Sequence, residues 1–599
     1  MDFSDGRRGG LGPDKDMYIG NGPTHLARNK TERRRLQGLM QKGQQEVKKA
    51  VVPTNPKVLR LKERWDYWMV NDGARQLFMG VWVFLHMIVF AFAFMNYYMK
   101  DNLTIARATF GLGYPIARTA AVVLHVDVAF ILLPVCRNFI SLLRRTSLNN
   151  FIPFDKNIEF HKLTGWSIAF FSAVHTIAHM FNFARLAIAT GTNTKDRIIL
   201  FLEANFLTGP GATGWVMTVA LGIMIWFAME RKRRANFEWF WYTHHLFIIF
   251  FICWQLHGMF CMIKPDPGSP QCSWNTIGVF WKYWLFGGLI WIYERILREV
   301  RSRHRTYISK VIQHPSKVME IQIKKEKTKV RAGQYIFLNC PEVSYFQWHP
   351  FTLTSAPEED YISVHIRIVG DFTGALAKAL GCDFDSEKGK KGDDEKGGKV
   401  IGTITNPSLN RVLPRVMVDG PFGSASEDFL NYETVLLVGA GIGVTPFASI
   451  LKSIWYRMNN MNNSKPTRLS KVYFVWVIRD FGSAEWFHSL LHAIEEQDVG
   501  GRIEISIYLT AKLKDDDVNN IVVQDVGAEK DAITSLRAPT HFGRPNWDRV
   551  FSGIAERHAE TDVGVFFCGP LVLSRTLESM SKKYTDPKGT KFFFGKENF

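Results

Sequence analysis

HKLTGWSIAFFSAVHTIAHM, residues 161–180, and HHLFIIFFICWQLH, residues 244–257, are the stretches on which the reading of this chain turns. Each lies in an apolar run long enough to cross a bilayer, because ~20 residues rising ~1.5 Å each span the ~30 Å hydrocarbon core. Each also carries an imidazole near both of its ends. Histidine at that depth is costly unless something binds it, so intramembrane ionisable residues read as functional. Two helices with two imidazoles apiece can ligate two stacked haem irons, each held axially by one histidine per helix. The candidate ligands are His161 and His175 on the first helix, and His257 with His244 or His245 on the second.

Spacing tests this. From His161 to His175 is 14 residues, so at about 100° per residue the second ring returns to within roughly 40° of the first, about 21 Å along the axis. One face of that helix can serve two haems. From His244 to His257 is 13 residues, which gives the right rise but a rotation off by roughly 140°, and starting from His245 leaves about 120°. A kink, a tilt or a wide turn has to absorb the difference.

Composition sets the class. A chain of 599 residues exceeds one ordinary domain, and 46% hydrophobic content accompanies a formal charge of +18. Basic and apolar together indicate a membrane protein whose positive charge faces the cytosol and anionic lipid rather than nucleic acid. The seven cysteines contain no CxxC pair, so neither a zinc site nor an iron–sulfur cluster is supported by them. Residues 1–75 are polar, with Arg33, Arg34 and Arg35 at the centre of a basic run and no signal-peptide core. They read as a cytosolic extension that lies near anionic lipid or docks a regulator.

Apolar spans fall near 76–98, 116–136, 161–183, 212–229, 240–260 and 277–293, and define a six-helix domain over residues 76–300. Basic clusters follow the second span (Arg137, Arg144, Arg145), the fourth (Arg231 to Arg234) and the sixth (Arg295, Arg298, Arg301, Arg303, Arg305). The positive-inside rule then puts both termini in the cytosol and makes spans three and five run outward. His161 and His244 share the inner level, His175 and His257 the outer. Asn102-Leu103-Thr104 is a glycosylation sequon in the first external loop. Cys261 and Cys272 share the third external loop, as a disulfide or as two free thiols.

After residue 305 the composition becomes that of a soluble protein. Alternating runs such as Tyr307 to Ile312, Val318 to Ile323 and Ile362 to Val369 predict a small antiparallel β-barrel over 305–425, with a flexible insertion from Asp383 to Lys399. From residue 430 buried strands alternate with amphipathic helices, which predicts an α/β parallel sheet over 430–599. Gly439-Ala440-Gly441-Ile442-Gly443-Val444-Thr445-Pro446 follows one such strand and opens a helix, so its bare amides can receive a pyrophosphate.

That turn, ending in Thr-Pro, resembles the pyridine-nucleotide lobe of ferredoxin-reductase-type flavoproteins. His349-Pro350-Phe351-Thr352-Leu353-Thr354-Ser355-Ala356-Pro357, followed by His365-Ile366-Arg367, resembles the flavin motif of the membrane-bound ferric reductase and NADPH oxidase branch. Leu132 to Asn138 and Trp241 to His245 match the same family in the membrane half. From about residue 70 to 599 the chain resembles the catalytic subunit of NADPH oxidases, closest to the fungal type. No EF-hand loop occurs in the sequence, so direct calcium control is not expected.

The resemblance implies a role for each motif residue. Thr352 lies at the reactive edge of FAD, His349 and Pro350 by its ring, and Arg367 on its pyrophosphate, where a planar guanidinium pairs two oxygens. Gly439, Gly441, Gly443, Thr445 and Pro446 hold NADPH, Arg479 contacts its extra phosphate, Cys568 and Gly569 border the nicotinamide, and Phe599 covers the flavin. His161, His175, His244 and His257 ligate two b-type haems. His179 and Arg118 line a polar pocket over the outer haem where oxygen is reduced. A Rac-type small GTPase, a cytosolic activator and a membrane adaptor are implied partners. The implied activity is a transmembrane NADPH oxidase that delivers superoxide on the far face; a ferric or cupric reductase with the same electron path is the alternative.

Overall fold

The computed structural model describes residues 60–597 apart from 261–265, 269–277, 315, 385–401, 404–412, 460–466, 480–484, 499, 511–530, 532–533 and 535. The Arg33–Arg35 run, Cys261, Cys272, most of the 383–399 insertion and Phe599 lie outside the described residues.

The apolar runs form helices whose ends differ by several residues from the limits read from hydropathy, because a helix ends where its hydrogen-bonded turns end and not at the hydrocarbon boundary. They are α1 (Ala74–Met99), α2 (Gly113–Ile131), α3 (Asn157–Thr190), α4 (Gly209–Ala228), α5 (Phe237–His244), α6 (Phe247–His257) and α7 (Phe280–Ser302). Among the described residues three stretches, Leu61–Met99, Gly113–Val135 and Gly209–Ala228, are long and apolar enough to cross a membrane. The third expected span is the 34-residue α3, and the fifth is divided between α5 and α6. Caps fix several starts: the Thr208 hydroxyl accepts from Gly211 N at 3.1 Å and the Asn236 side chain from Trp239 N at 3.2 Å.

Between α5 and α6 the ladder changes character. His245 N, Leu246 N and Ile248 N bond to the carbonyls of Tyr242, Thr243 and His245, three residues back instead of four. Such tighter turns advance about 120° per residue, so they supply part of the rotation that an ideal helix withholds from the 13-residue spacing.

The bundle core is apolar, formed by Leu124, Val128, Ile168, Met224, Phe250 and Trp254 among others. One polar cluster crosses it. Asp127, fully buried, accepts from Ser167 Oγ at 2.7 Å and lies 3.0 Å from His86 Nε2. His86 and Asp127 are therefore partners, which reduces the cost of burying either alone.

The soluble half begins with two antiparallel sheets around one shared core that includes Val311, Met319, Ile336, Val364 and Val418. One has the order β5-β2-β1-β6 and the other β4-β3-β7. The strands are β1 (Thr306–His314), β2 (Val318–Lys325), β3 (Tyr335–Asn339), β4 (His349–Thr352), β5 (Ile362–Arg367), β6 (Gly402–Thr403) and β7 (Met417–Phe422). Among the described residues the expected barrel is thus a pair of stacked antiparallel sheets.

The last lobe is a six-stranded parallel sheet of order β11-β10-β9-β8-β12-β13. Its strands are β8 (Thr434–Ala440), β9 (Lys471–Ile478), β10 (Ile503–Leu509), β11 (Thr540–Phe542), β12 (Asp562–Cys568) and β13 (Lys591–Lys596). The chain builds outward from β8 in one direction and then returns to place β12 on its other side. Ligand crevices of parallel α/β sheets open at such reversals, beyond the carboxyl ends of the strands.

Candidate functional site

The reversal sets the nucleotide site. β8 and β12 pair in register with Cys568 opposite Gly439, so Gly441 and Gly569 leave the sheet side by side. Gly441 has φ +57°, a left-handed conformation, and no atom within 4 Å of where a Cβ would sit, so its backbone is open to a ligand. Gly443 is the reverse case: an added Cβ would meet the Cys568 carbonyl oxygen at 2.4 Å, so only glycine permits this packing. Helix α8 (Thr445–Asn459) starts immediately after and aims its N-terminus at the crevice. Burial, with the charge of Glu597 nearby, pushes the Cys568 thiol up to about 12. Arg479 is exposed just past the end of β9.

The flavin motif faces this helix. The Thr352 hydroxyl donates to the Thr445 hydroxyl at 2.6 Å, and Ser449 Oγ donates to the Ser355 carbonyl at 2.6 Å. Lys452 lies 3.4 Å from Glu359. The two motifs assigned separately from sequence therefore meet along one seam. Pro350 pairs with Phe337 across β3 and β4. His349 stacks on Phe372 at 3.8 Å between ring centroids, and burial lowers its proton affinity, which favours a neutral ring. Arg367 is exposed at the end of β5.

In the membrane half four imidazoles form two facing pairs. The ring centroids of His161 and His244 are 6.1 Å apart and those of His175 and His257 are 6.0 Å apart. An iron between two imidazoles needs about 2 Å to each nitrogen and about 1 Å more to each centroid, roughly 6 Å in all, so both pairs fit a bis-histidine haem.

The tautomers also fit. His161 Nδ1 bonds to the Ile131 carbonyl at 2.9 Å and His175 Nδ1 to the Ala117 carbonyl at 2.8 Å. A carbonyl only accepts, so each Nδ1 carries the proton and each Nε2 is free to ligate. Thr213 Oγ1 donates to the Gly209 carbonyl at 2.7 Å, so it accepts from His257 Nδ1 at 3.1 Å, with the same result. His244 Nδ1 is buried with no hydrogen-bond partner. His245, the competing candidate, bonds through Nδ1 to the Trp241 carbonyl in its own helix.

His179 lies beside the far pair, its ring 4.6 Å from His175 and stacked on Phe183. Its Nδ1 is buried without a partner. Arg118 is exposed, with its guanidinium 5.4 Å from the Tyr97 ring centroid, and its charge acts on His175, His179 and His257.

The membrane and flavin halves are joined by ion pairs that carry no motif. Asp419 on β7, 2% exposed, accepts from Arg298 Nε at 2.5 Å and from an Arg301 terminal nitrogen at 2.7 Å. Both arginines also lie over the ring of Phe422, in the Gly420-Pro421-Phe422-Gly423 turn. Arg144 pairs with Asp428 at 2.8 Å. The buried Glu294 of α7 caps the short helix Arg137–Leu143, accepting from Asn138 N at 2.8 Å. At the other end of the flavin lobe, buried Glu597 accepts from Ser424 Oγ at 2.9 Å, Ser426 N at 2.7 Å and Ser426 Oγ at 2.6 Å, which anchors the chain two residues before Phe599. Sequence reading missed these pairings, since partners 118 to 284 positions apart leave no periodic signal.

Comparison with known proteins agrees with each segment. Residues 120–254 match the family described as ferric reductase like transmembrane component, residues 304–426 an FAD-binding domain and residues 432–582 the ferric reductase NAD binding domain. A superoxide-generating NADPH oxidase heavy chain of Dictyostelium discoideum is 40% identical over 547 residues, 90% of this chain and 100% of that protein. NADPH oxidase 1 of Rattus norvegicus is 38% identical over 89% of this chain and 100% of its own length, and NADPH oxidase 3 of Homo sapiens 35% over 89% and 99%. With relatives this similar over nearly their whole length, and a transmembrane reductase segment followed by flavin and nucleotide lobes in that order, the chain belongs to the NADPH oxidase family.

Proposed function

We propose that this protein is an integral-membrane NADPH oxidase, which takes electrons from NADPH on one side and reduces molecular oxygen to superoxide on the other. The observation that carries the reading is the stack of two imidazole pairs, 6.1 and 6.0 Å between centroids, on a line leading away from the flavin lobe. Ile131, which holds His161, is at the end of α2 that leads to Arg144 and its flavin-lobe partner Asp428; Ala117, which holds His175, is toward the opposite end. His161 and His244 thus serve the near haem and His175 and His257 the far one. When bound, FAD takes a hydride from NADPH and the two b-type haems carry its electrons onward singly.

The chain's own residues bind, orient and shield. Gly439, Gly441 and Gly443 with the start of α8, at Thr445 and Pro446, receive the nucleotide pyrophosphate, and Arg479 its additional phosphate. Cys568 and Gly569 border the nicotinamide. His349, Pro350 and Thr352 hold the isoalloxazine, Arg367 pairs the FAD pyrophosphate, and Phe599 covers the ring. Over the far pair, His179 and the Arg118 charge favour the anion formed from oxygen. Both termini lie on the flavin side. The Arg33–Arg35 run of the basic extension faces anionic lipid, and a Rac-type GTPase, a cytosolic activator and a membrane adaptor act on that same side.

Purified protein given NADPH should consume oxygen and form superoxide without added metal. Iron-chelate reduction that resists superoxide dismutase would instead establish the metalloreductase. Reduced-minus-oxidised spectra of His175→Ala and His244→Ala should each lose haem signal, and retention of both haems in either variant overturns the ligand assignment.

A further inference from the structure

Among the described residues one cluster of ligating side chains, which includes His365 of the flavin motif, has no part in this path. Glu320 on β2 pairs directly across the sheet with His365 on β5, and His314, at the end of β1, reaches the same point from the other neighbouring strand. The three are 8% (His314), 7% (Glu320) and 9% (His365) exposed. His314 Nε2 lies 3.5 Å and His365 Nε2 3.6 Å from Glu320 Oε2. Their ligating atoms all fall within 4.8 Å of one another.

Neither distance is a hydrogen bond. His314 Nε2 is buried with no hydrogen-bond partner, a cost that a native structure rarely leaves unpaid. Two nitrogens and an oxygen each about 2.0–2.1 Å from a tetrahedral ion stand about 3.3 Å apart, so both nitrogen–oxygen separations are already close to those of a ligated ion. The other polar atoms of His365 and Glu320 are taken. Thr354 Oγ1 lies 2.8 Å from both His365 Nδ1 and Ser363 Oγ, and Gln322 Nε2 donates to Glu320 Oε1 at 2.9 Å. That leaves His365 Nε2 and Glu320 Oε2 directed at the shared point, the kind of outer support that bound ligands have. The nearby cation Lys452 is engaged by Glu359.

We propose that His314, Glu320 and His365 form a binding site for one divalent transition-metal ion of the zinc class, separate from the haems. Two imidazoles and a carboxylate suit such an ion better than magnesium or calcium, which take oxygen ligands. The ion ties β1, β2 and β5 together beneath the flavin motif, and Trp486 of the nucleotide lobe packs against the His365 ring, tilted by 30° at 4.2 Å between centroids. It braces the seam between the two lobes and takes no part in electron transfer.

The test uses the full-length protein with haem and flavin bound, dialysed against zinc and then against a moderate chelator. Element-specific analysis should find one zinc per chain, lost in His314→Gln and Glu320→Gln. Thr354→Val, which removes the hydroxyl partner of His365 Nδ1 and of Ser363 Oγ and leaves all three ligands in place, should weaken zinc binding roughly 10- to 100-fold. Zinc absent from the wild type, or retained equally by both glutamine variants, overturns the site and leaves an unmetallated cluster. Should a variant lose its haem or flavin, zinc-edge X-ray absorption of the wild type decides: scattering from two imidazoles is expected, and its absence overturns the proposal.

Discussion

The hydroxyl of Thr352 donates to that of Thr445 at 2.6 Å, so the flavin motif and the start of the nucleotide-binding helix touch side chain to side chain. Both residues are buried. A neutral hydrogen bond of this kind contributes about 1 kcal/mol, roughly a fivefold effect. Thr445→Val should therefore slow flavin reduction by NADPH several-fold in stopped flow, while haem reduction by dithionite keeps its wild-type rate. Equal slowing of both reactions would mean that the bond does not act at the lobe junction.

Asp419 answers two arginines of the last membrane helix from a site 2% exposed. Removing the carboxylate leaves two cations facing each other in a poorly hydrated junction, a change worth about 3–5 kcal/mol. Asp419→Ala should free the flavin lobe from the bundle, detected as faster limited proteolysis near residues 302–306 and loss of NADPH-driven haem reduction with normal haem content. Unchanged proteolysis would show that the lobes are held elsewhere.

Lys325 supplies a pH dependence. Its ammonium donates to the Val418 carbonyl, next to Asp419, and burial together with the charge of Arg301 lowers its proton affinity to about 8, against 10.5 for a free side chain. Between those values the unfolded chain holds a proton that the folded chain has released, so stability rises with pH across that window and is lost as pH falls through about 8. Thermal unfolding followed from pH 7.5 to 9.5 should show this gain in the wild type and less of it in Lys325→Met. An equal gain in both would assign it to another group.

Cys568 ends β12 opposite Gly439 of the glycine-rich turn, yet burial keeps its thiol near 12, so the reactive thiolate is scarce at neutral pH. In the folded protein it should resist iodoacetamide at pH 7–9 over times that label an exposed cysteine, and react once denatured. Rapid labelling at pH 7, mapped by mass spectrometry, would contradict this.

Helix positions were legible in the sequence because apolar runs record burial in lipid residue by residue. So were the nucleotide and flavin turns, where glycine and threonine spacing is dictated by a phosphate or a ring. That His244 rather than His245 faces His161 was not legible from ideal geometry, since the three-residue hydrogen bonds at His245, Leu246 and Ile248 add rotation that an ideal helix lacks. Asp419 with Arg298 and Arg301, and Glu597 with Ser424 and Ser426, were equally hidden. An ion pair between residues so far apart in sequence looks, in either member alone, like any surface charge. Arg118 was legible as an intramembrane cation, but its place over Tyr97 was not.

The imidazoles of α3 are oriented by main-chain oxygens of α2, at Ile131 for His161 and Ala117 for His175, and the two pairs of residue numbers have the same sum. That is the arithmetic of antiparallel packing, in which one sliding register fixes both contacts at once. No side-chain replacement at 117 or 131 can delete such an acceptor. A missense survey of α2 would therefore find those two positions tolerant of any residue that packs, whereas inserting or deleting a single residue between them would misalign one histidine while sparing the other.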